Sequence, residues 1–175
     1  MPDRAPPRTR ILPIGRSGVC TIFPSIRLFS KRSGTRIKIS RGQVSGHAAL
    51  RDARWTLVEE PAALAGALRR EARNDRIVVI DCATLWLSNL LLQDADVAAA
   101  TQDLAQSVAG LSGPVIFVSN EVGAGIVPEN ALARAFRDAQ GLLNQALAEA
   151  CDAVVLLNAG IALCLKPSRE PKFRF

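Results

Sequence analysis

Three short apolar runs, each ending in a polar tip, recur through the latter part of the chain. Ile77-Val78-Val79-Ile80 ends in Asp81, Val115-Ile116-Phe117-Val118 ends in Ser119-Asn120-Glu121, and Ala153 to Leu157 ends in Asn158-Ala159-Gly160. Continuous runs of this kind, rich in Val and Ile, read as strands buried on both faces. The segments between them read as helices. Pro61 to Arg73 has proline in its first turn and is otherwise built of Ala, Leu, Arg and Glu, ending at Asn74-Asp75; proline suits that position and the others are strong helix formers. Leu85 to Leu92 is apolar enough for a buried helix or connector, and Asp94 to Leu111 is an Ala-rich helix closed by Gly110 and Gly113-Pro114. After the loop Gly123-Ala124-Gly125, Pro128 to Ala150 carries Leu132, Phe136, Leu143 and Leu147 at spacings of four, seven and four, which predicts one apolar helix face. Alternating strands and helices imply parallel β-α-β units with right-handed crossovers. The predicted class is α/β, a mostly parallel sheet flanked by helices, with an irregular tail over Pro167 to Phe175.

The first 45 residues lack this texture. They contain Pro2, Pro6, Pro7, Pro13 and Pro24 and no sustained period, although Arg36 to Ile39 could form a short strand. The charge changes at the same place. Residues 1–41 hold ten Lys or Arg and one acid, whereas residues 42–175 hold twelve basic and fifteen acidic residues, so the net +6 belongs to the first quarter. The predicted organisation is an atypical basic segment over 1–41 and a single α/β domain over 42–175. Three readings of the first segment compete. It could be a polyanion-binding arm, though only Phe23 and Phe29 offer base-stacking surfaces. It could be an organellar presequence, although five prolines oppose an amphipathic helix. It could also be foreign to the domain that follows, through a shifted reading frame or a misassigned start.

A chain of 175 residues suits one domain with a sizeable core. Cys20, Cys82, Cys151 and Cys164 stand far apart with no CxxC and a single histidine, so neither a zinc site nor a disulfide framework is predicted. Reduced cytosolic thiols and a cytoplasmic protein are expected. No apolar run approaches the roughly 18 residues of a membrane span.

Candidate chemistry begins at the strand tips. In open α/β sheets the ligand crevice lies at the carboxyl ends of the strands. Asp81 could therefore hold a metal or water beside a phosphate, or it could simply cap the next helix. His47 has the near-neutral pKa that suits nucleophilic or acid-base work, yet a lone histidine is often structural. A phosphate-binding loop of the form G-x-x-x-x-G-K-[ST] is not found. The nearest window, Pro13 to Cys20, keeps Gly18 but has Pro13, Val19 and Cys20 in place of the first glycine, the lysine and the hydroxyl.

Several segments together resemble a known family. They are Asp81-Cys82-Ala83-Thr84-Leu85-Trp86-Leu87-Ser88-Asn89, the run from Ser119 through Asn120-Glu121-Val122-Gly123-Ala124-Gly125-Ile126-Val127-Pro128-Glu129-Asn130, the helix from Ala133-Arg134-Ala135-Phe136-Arg137-Asp138 to Asn144-Gln145, and Ala159-Gly160-Ile161. From about residue 44 to 166 the chain resembles the bifunctional adenosylcobinamide kinase and adenosylcobinamide-phosphate guanylyltransferase of cobalamin biosynthesis. The resemblance implies a RecA-like P-loop NTPase fold, a trimeric assembly, GTP, ATP and Mg²⁺, and adenosylcobinamide and its phosphate as substrates. It implies that His47 carries a covalent GMP, that Ala48, Ala49, Leu50 and Arg51 lie along the nucleotide, that Glu59 contacts guanosine, and that Asp81 sits near the phosphates or their Mg²⁺. The family's glycine-rich loop with its lysine has no counterpart here. The amino-terminal strand-loop-helix is therefore expected to be altered, the sheet to lack its central strand, and triphosphate binding to be impaired. A non-catalytic assembly or nucleic-acid-binding homologue using the basic arm is the alternative.

Overall fold

The computed structural model describes residues 19–22, 35–39 and 55–167. Within it seven strands form one sheet: β1 (Val19–Ile22), β2 (Thr35–Ile39), β3 (Trp55–Val58), β4 (Arg76–Asp81), β5 (Val115–Ser119), β6 (Ala153–Asn158) and β7 (Ile161–Lys166). Their spatial order is β3-β2-β4-β5-β1-β6-β7. All neighbours are parallel except β6 and β7. The architecture is thus the α/β one predicted, consistent with a RecA-like P-loop type of fold. The expectation of a missing central strand is corrected. β1 lies between β5 and β6, with Ile22 level with Ser119 and Leu156. The apolar run Val19 to Ile22 is short and β-branched enough to be drawn into the middle of a sheet whose flanking strands are already defined. Val19 and Cys20, the last residues of the Pro13 to Cys20 window, are strand residues.

Four helices complete the described structure: α1 (Leu64–Glu71), α2 (Ala83–Leu92), α3 (Val97–Ala109) and α4 (Ala131–Ala150). The crossovers β3 to β4, β4 to β5 and β5 to β6 all step the same way along the sheet, so right-handed connections put all four helices on one face. Alternation within the strands agrees: Val78 and Ile80 of β4, and Val115, Phe117 and Ser119 of β5, are buried beneath them while their neighbours are half-buried. The core joins these to Leu64, Leu68, Leu87, Leu104, Leu143 and Leu147, each exposed by no more than 1%.

Local chemistry sets the helix ends. α1 begins after Pro61 because the Glu60 carboxylate accepts hydrogen bonds from the Ala62 and Ala63 N–H groups at 3.1 and 2.8 Å, making a turn ahead of it. Asp96 caps α3 by accepting from Ala99 N–H, and Asn130 caps α4 by accepting from Leu132 and Ala133. The predicted apolar face of α4 holds only in part. Leu143 and Leu147 are fully buried and Phe136 packs against the core, but Leu132 is 61% exposed. It shares their angular position yet stands in the first turn, beside the exposed loop 123–127 and past the packed layer. Gly113 is required by close approach: a Cβ there would lie 2.0 Å from the Arg73 carbonyl oxygen.

Besides β1, two further strands were not predicted. β3 is only four residues long, and β7 is exposed along nearly its whole length, which erases the alternation that marks a strand. The β6–β7 connection is a two-residue hairpin between Asn158 and Ile161, with Ala159 at φ 51° and Gly160 at φ 79°. Positive φ at both positions is what the right-handed twist of a tight hairpin demands.

Candidate functional site

The carboxyl ends of the parallel strands bring the polar tips to one edge. β1 connects to β2 in one direction along the sheet while β5 to β6 passes β1 in the other, so the winding reverses at β1, where a ligand crevice opens in such sheets. The tip of β5 is adjacent to β1 and that of β4 is next. Asp81, half-buried, ends β4 opposite Val118 of β5. Glu59 follows β3 and is exposed; it stands level with Asp81 but two strands away, because β2 lies between. Strand spacing makes that separation about 10 Å. His47, Ala48, Ala49, Leu50 and Arg51 lie outside the described residues. Next to Asp81, burial pushes the Cys82 thiol above its ordinary pKa, and the Asp81 charge adds to this against smaller opposing hydrogen bonds from Leu85 and Thr84.

The tip of β5 is held by a connected set of hydrogen bonds. Ser119 Oγ, fully buried, donates to Asn144 Oδ1 at 2.7 Å. Gln140 Nε2 donates to both Ser119 Oγ and Asn144 Oδ1 at 2.9 Å. Asn144 Nδ2 in turn donates to the Asn120 carbonyl at 3.0 Å. From the opposite side, Thr84 Oγ1 accepts from the Asn120 backbone N–H at 3.0 Å and from Asn120 Nδ2 at 3.1 Å. Beyond Asn120 the chain turns on itself, with Glu121 Oε1 accepting from Gly123 N–H at 2.7 Å. Arg134 Nη1 then donates to the carbonyls of Pro128 and Glu129, closing the loop onto the start of α4.

A second tie holds the turn that follows Glu59. Trp86 Nε1 donates to the Ala62 carbonyl at 2.7 Å, and Asn89 Nδ2 to that of Pro61 at 3.2 Å. Thr84, Trp86 and Asn89 belong to the apolar stretch after Asp81. Their type, a few polar groups in an otherwise apolar helix, was the available signal for this role. Gln140 gave none, because its place beneath Ser119 depends on tertiary packing.

Asp81 and the neighbouring tip fit a magnesium ion of the kind held by one carboxylate and completed by phosphate oxygens and water. Among the described residues no three His, Cys, Asp or Glu side chains cluster to form an all-protein cage. A cavity of about 310 Å³ opens elsewhere, between the ends of α1 and α3, lined by Arg69, Asp103, Gln106 and Ser107. It is distant from the strand tips, at the edge where the helices end, and Arg69 is already paired with Asp103. The tips remain the candidate site. There the Asp81 carboxylate and the Thr84-held Asn120 stand at the carboxyl ends of adjacent strands, the edge where ligands bind in open α/β sheets.

Comparison with known proteins identifies the family. A family model described as cobinamide kinase / cobinamide phosphate guanyltransferase matches residues 40–165. The bifunctional adenosylcobalamin biosynthesis protein CobP of Pseudomonas aeruginosa is 43% identical over 126 residues, 71% of this chain and 73% of that protein. The bifunctional adenosylcobalamin biosynthesis protein CobU of Escherichia coli is 32% identical over 139 residues, 71% of this chain and 77% of that protein, and its Salmonella typhimurium counterpart is 33% identical over the same length. The match takes in the tips of β4 and β5, α2 and α4, and the chain belongs to the cobinamide kinase / cobinamide phosphate guanyltransferase family.

Proposed function

We propose that the chain is a transferase of cobalamin biosynthesis that phosphorylates adenosylcobinamide with a nucleoside triphosphate and transfers GMP from GTP to adenosylcobinamide phosphate through a GMP-histidine on His47. The observation that carries this reading is the family match over residues 40–165, a span that includes His47 and the described strand tips. A neutral imidazole nitrogen of His47 attacks the α-phosphorus of GTP. The bond to the bridging oxygen breaks, and pyrophosphate leaves with the electron pair. The phosphate oxygen of the second substrate then attacks the same phosphorus and releases the imidazole. Splitting one transfer into two is the purpose of such a nucleophile.

Ala48, Ala49, Leu50 and Arg51 lie along the nucleotide in this proposal, Glu59 contacts the guanosine, and Asp81 holds Mg²⁺ beside the phosphates. The ion offsets charge on phosphate oxygens when bound. Residues 1–41 supply no loop lysine. Each charge-assisted hydrogen bond so lost is worth roughly 1.5–3 kcal/mol, so this form binds triphosphate weakly and is inactive at ordinary nucleotide concentrations, with GMP transfer recovered only near saturating GTP. The absent loop and the charge break near residue 41 support the inference that this segment is foreign to the domain. Translating the encoding DNA in its other two frames tests that: a glycine-rich loop with lysine must emerge, and failure to find one removes the idea.

The widely spaced thiols, together with the absence of any described helix long and apolar enough to cross a membrane, support a cytoplasmic setting. Assembly as a homotrimer is part of the reading. It is supported by the edge strand β7, where Ile161, Leu163 and Leu165 are 46–65% exposed; such an edge invites association.

A second reading rests on the concentration of ten basic residues within 1–41: a scaffold without activity that uses this arm on nucleic acid. Incubation with α-labelled GTP separates the two. Label on the chain that disappears in His47→Ala supports the transferase. No label, together with salt-sensitive DNA binding, supports the scaffold.

A further inference from the structure

α2 is almost wholly apolar, and three of its few polar groups are spent on strand-tip loops. Thr84 accepts both the backbone and side-chain N–H of Asn120, Trp86 donates to the Ala62 carbonyl, and Asn89 donates to that of Pro61. Trp86 and Asn89, three residues apart, share one side of the helix, whereas Thr84 lies about 200° around from Trp86 at 3.6 residues per turn. The helix therefore reaches two different tips from opposite sides. It also begins two residues after Asp81, with Cys82 as its first flanking residue. A short, partly buried helix thus touches the turn after β3, follows directly from the tip of β4, and clasps the tip of β5.

We propose that the first two turns of α2 are a positioning element: Thr84 fixes the β5 tip that carries Asn120 and Glu121, while Trp86 and Asn89 fix the turn that carries Glu59, so that both stand in register with Asp81. For its functional half this rests on the reading of the strand tips as the transferase site. Each tie is local and separable. Thr84 makes no contact with the Glu59 turn through these bonds, and Asn89 makes none with Asn120. The network of Ser119, Gln140 and Asn144 holds the same β5 tip from below and leaves Thr84 to set its distance from α2.

Amide hydrogen exchange on the full chain tests the positioning directly. Thr84→Val should raise exchange of the Asn120 amide, which loses its acceptor, and of the Gly123 amide in the loop released with it, each about tenfold, while Ala62 and Ala63 stay within about twofold. Asn89→Leu and Trp86→Phe should do the reverse, and Thr84→Ser, which keeps the hydroxyl, should restore the wild-type pattern. Uniform loss of protection across both tips and the strands, failure of these variants to fold, or an unchanged Gly123 in Thr84→Val overturns the proposal. In GMP transfer, Thr84→Val should lower kcat about tenfold with KM for GTP within about twofold, and Thr84→Ser should recover it. Unchanged kcat in Thr84→Val overturns the functional half. A wild type that forms no product while showing the local exchange pattern removes the transferase reading and leaves the positioning role standing.

Discussion

Ala159 occupies the left-handed region at φ 51° in the hairpin between β6 and β7, where a Cβ is strained and asparagine is tolerated. Ala159→Asn should stabilise the chain by about 0.5–1 kcal/mol, read as a higher midpoint in chemical denaturation. Gly113→Ala should act in the opposite sense. Its Cβ would meet the backbone of Arg73, and the required shift should cost about 1–3 kcal/mol. Thiol chemistry offers a third residue-scale test. Burial raises the Cys82 pKa, Cys151 is buried and Cys164 is exposed, so a limiting alkylating reagent should label Cys164 before Cys82 and Cys151. Because folding raises the Cys82 pKa, its contribution to stability is complete below the unfolded thiol's value of about 8.5 and is lost as pH climbs through the folded one. Residues of this kind differ in how far they could be read in advance. Asp81 was legible as a strand tip from the apolar run before it. The Asn120 clasp was not, since Thr84 and Asn144 lie 36 and 24 residues away from it in sequence.

At the scale of elements, α4 shows how caps determine where a pattern takes effect. Asn130 accepts from two N–H groups at its start, and at its far end Lys166 of β7 donates to the Ala148 and Glu149 carbonyls at 2.9 Å. A cation on the last turn is favoured both by those bonds and by the helix dipole. Asn130→Ala and Lys166→Met should each lower stability by about 1 kcal/mol, and their effects should add, because the two ends are far apart. Continuous apolar runs announced β4, β5 and β6, and composition announced the helices. Both signals failed at β1, β3 and β7: the first two are too short to show a period, and the last lies exposed at the sheet edge, where alternation has no meaning. Helix starts were read too early at Pro61 and Pro128 because the capping side chains, Glu60 and Asn130, create turns that composition alone does not reveal.

For the whole molecule, two quantities matter: the charge split and the order of strands. The basic first 41 residues and the acidic remainder meet at the point where the family match begins, at residue 40, yet β1 and β2 from the basic part take interior places in the sheet. Retention of the strand positions without a loop lysine predicts a fold that survives and a triphosphate site that is weak. On the proposed trimeric assembly, Leu163→Lys on the exposed edge should lower the light-scattering mass towards that of a monomer while leaving the fold intact. The central claim, GMP carried on histidine, is tested most directly by incubating the chain with α-labelled GTP at concentrations of about a millimolar, high enough to offset weak binding. The account predicts a covalent label that survives base, is lost in acid as a phosphorus–nitrogen bond should be, and is absent from His47→Ala. A label that persists in His47→Ala, or none on the wild type at saturating GTP, contradicts it.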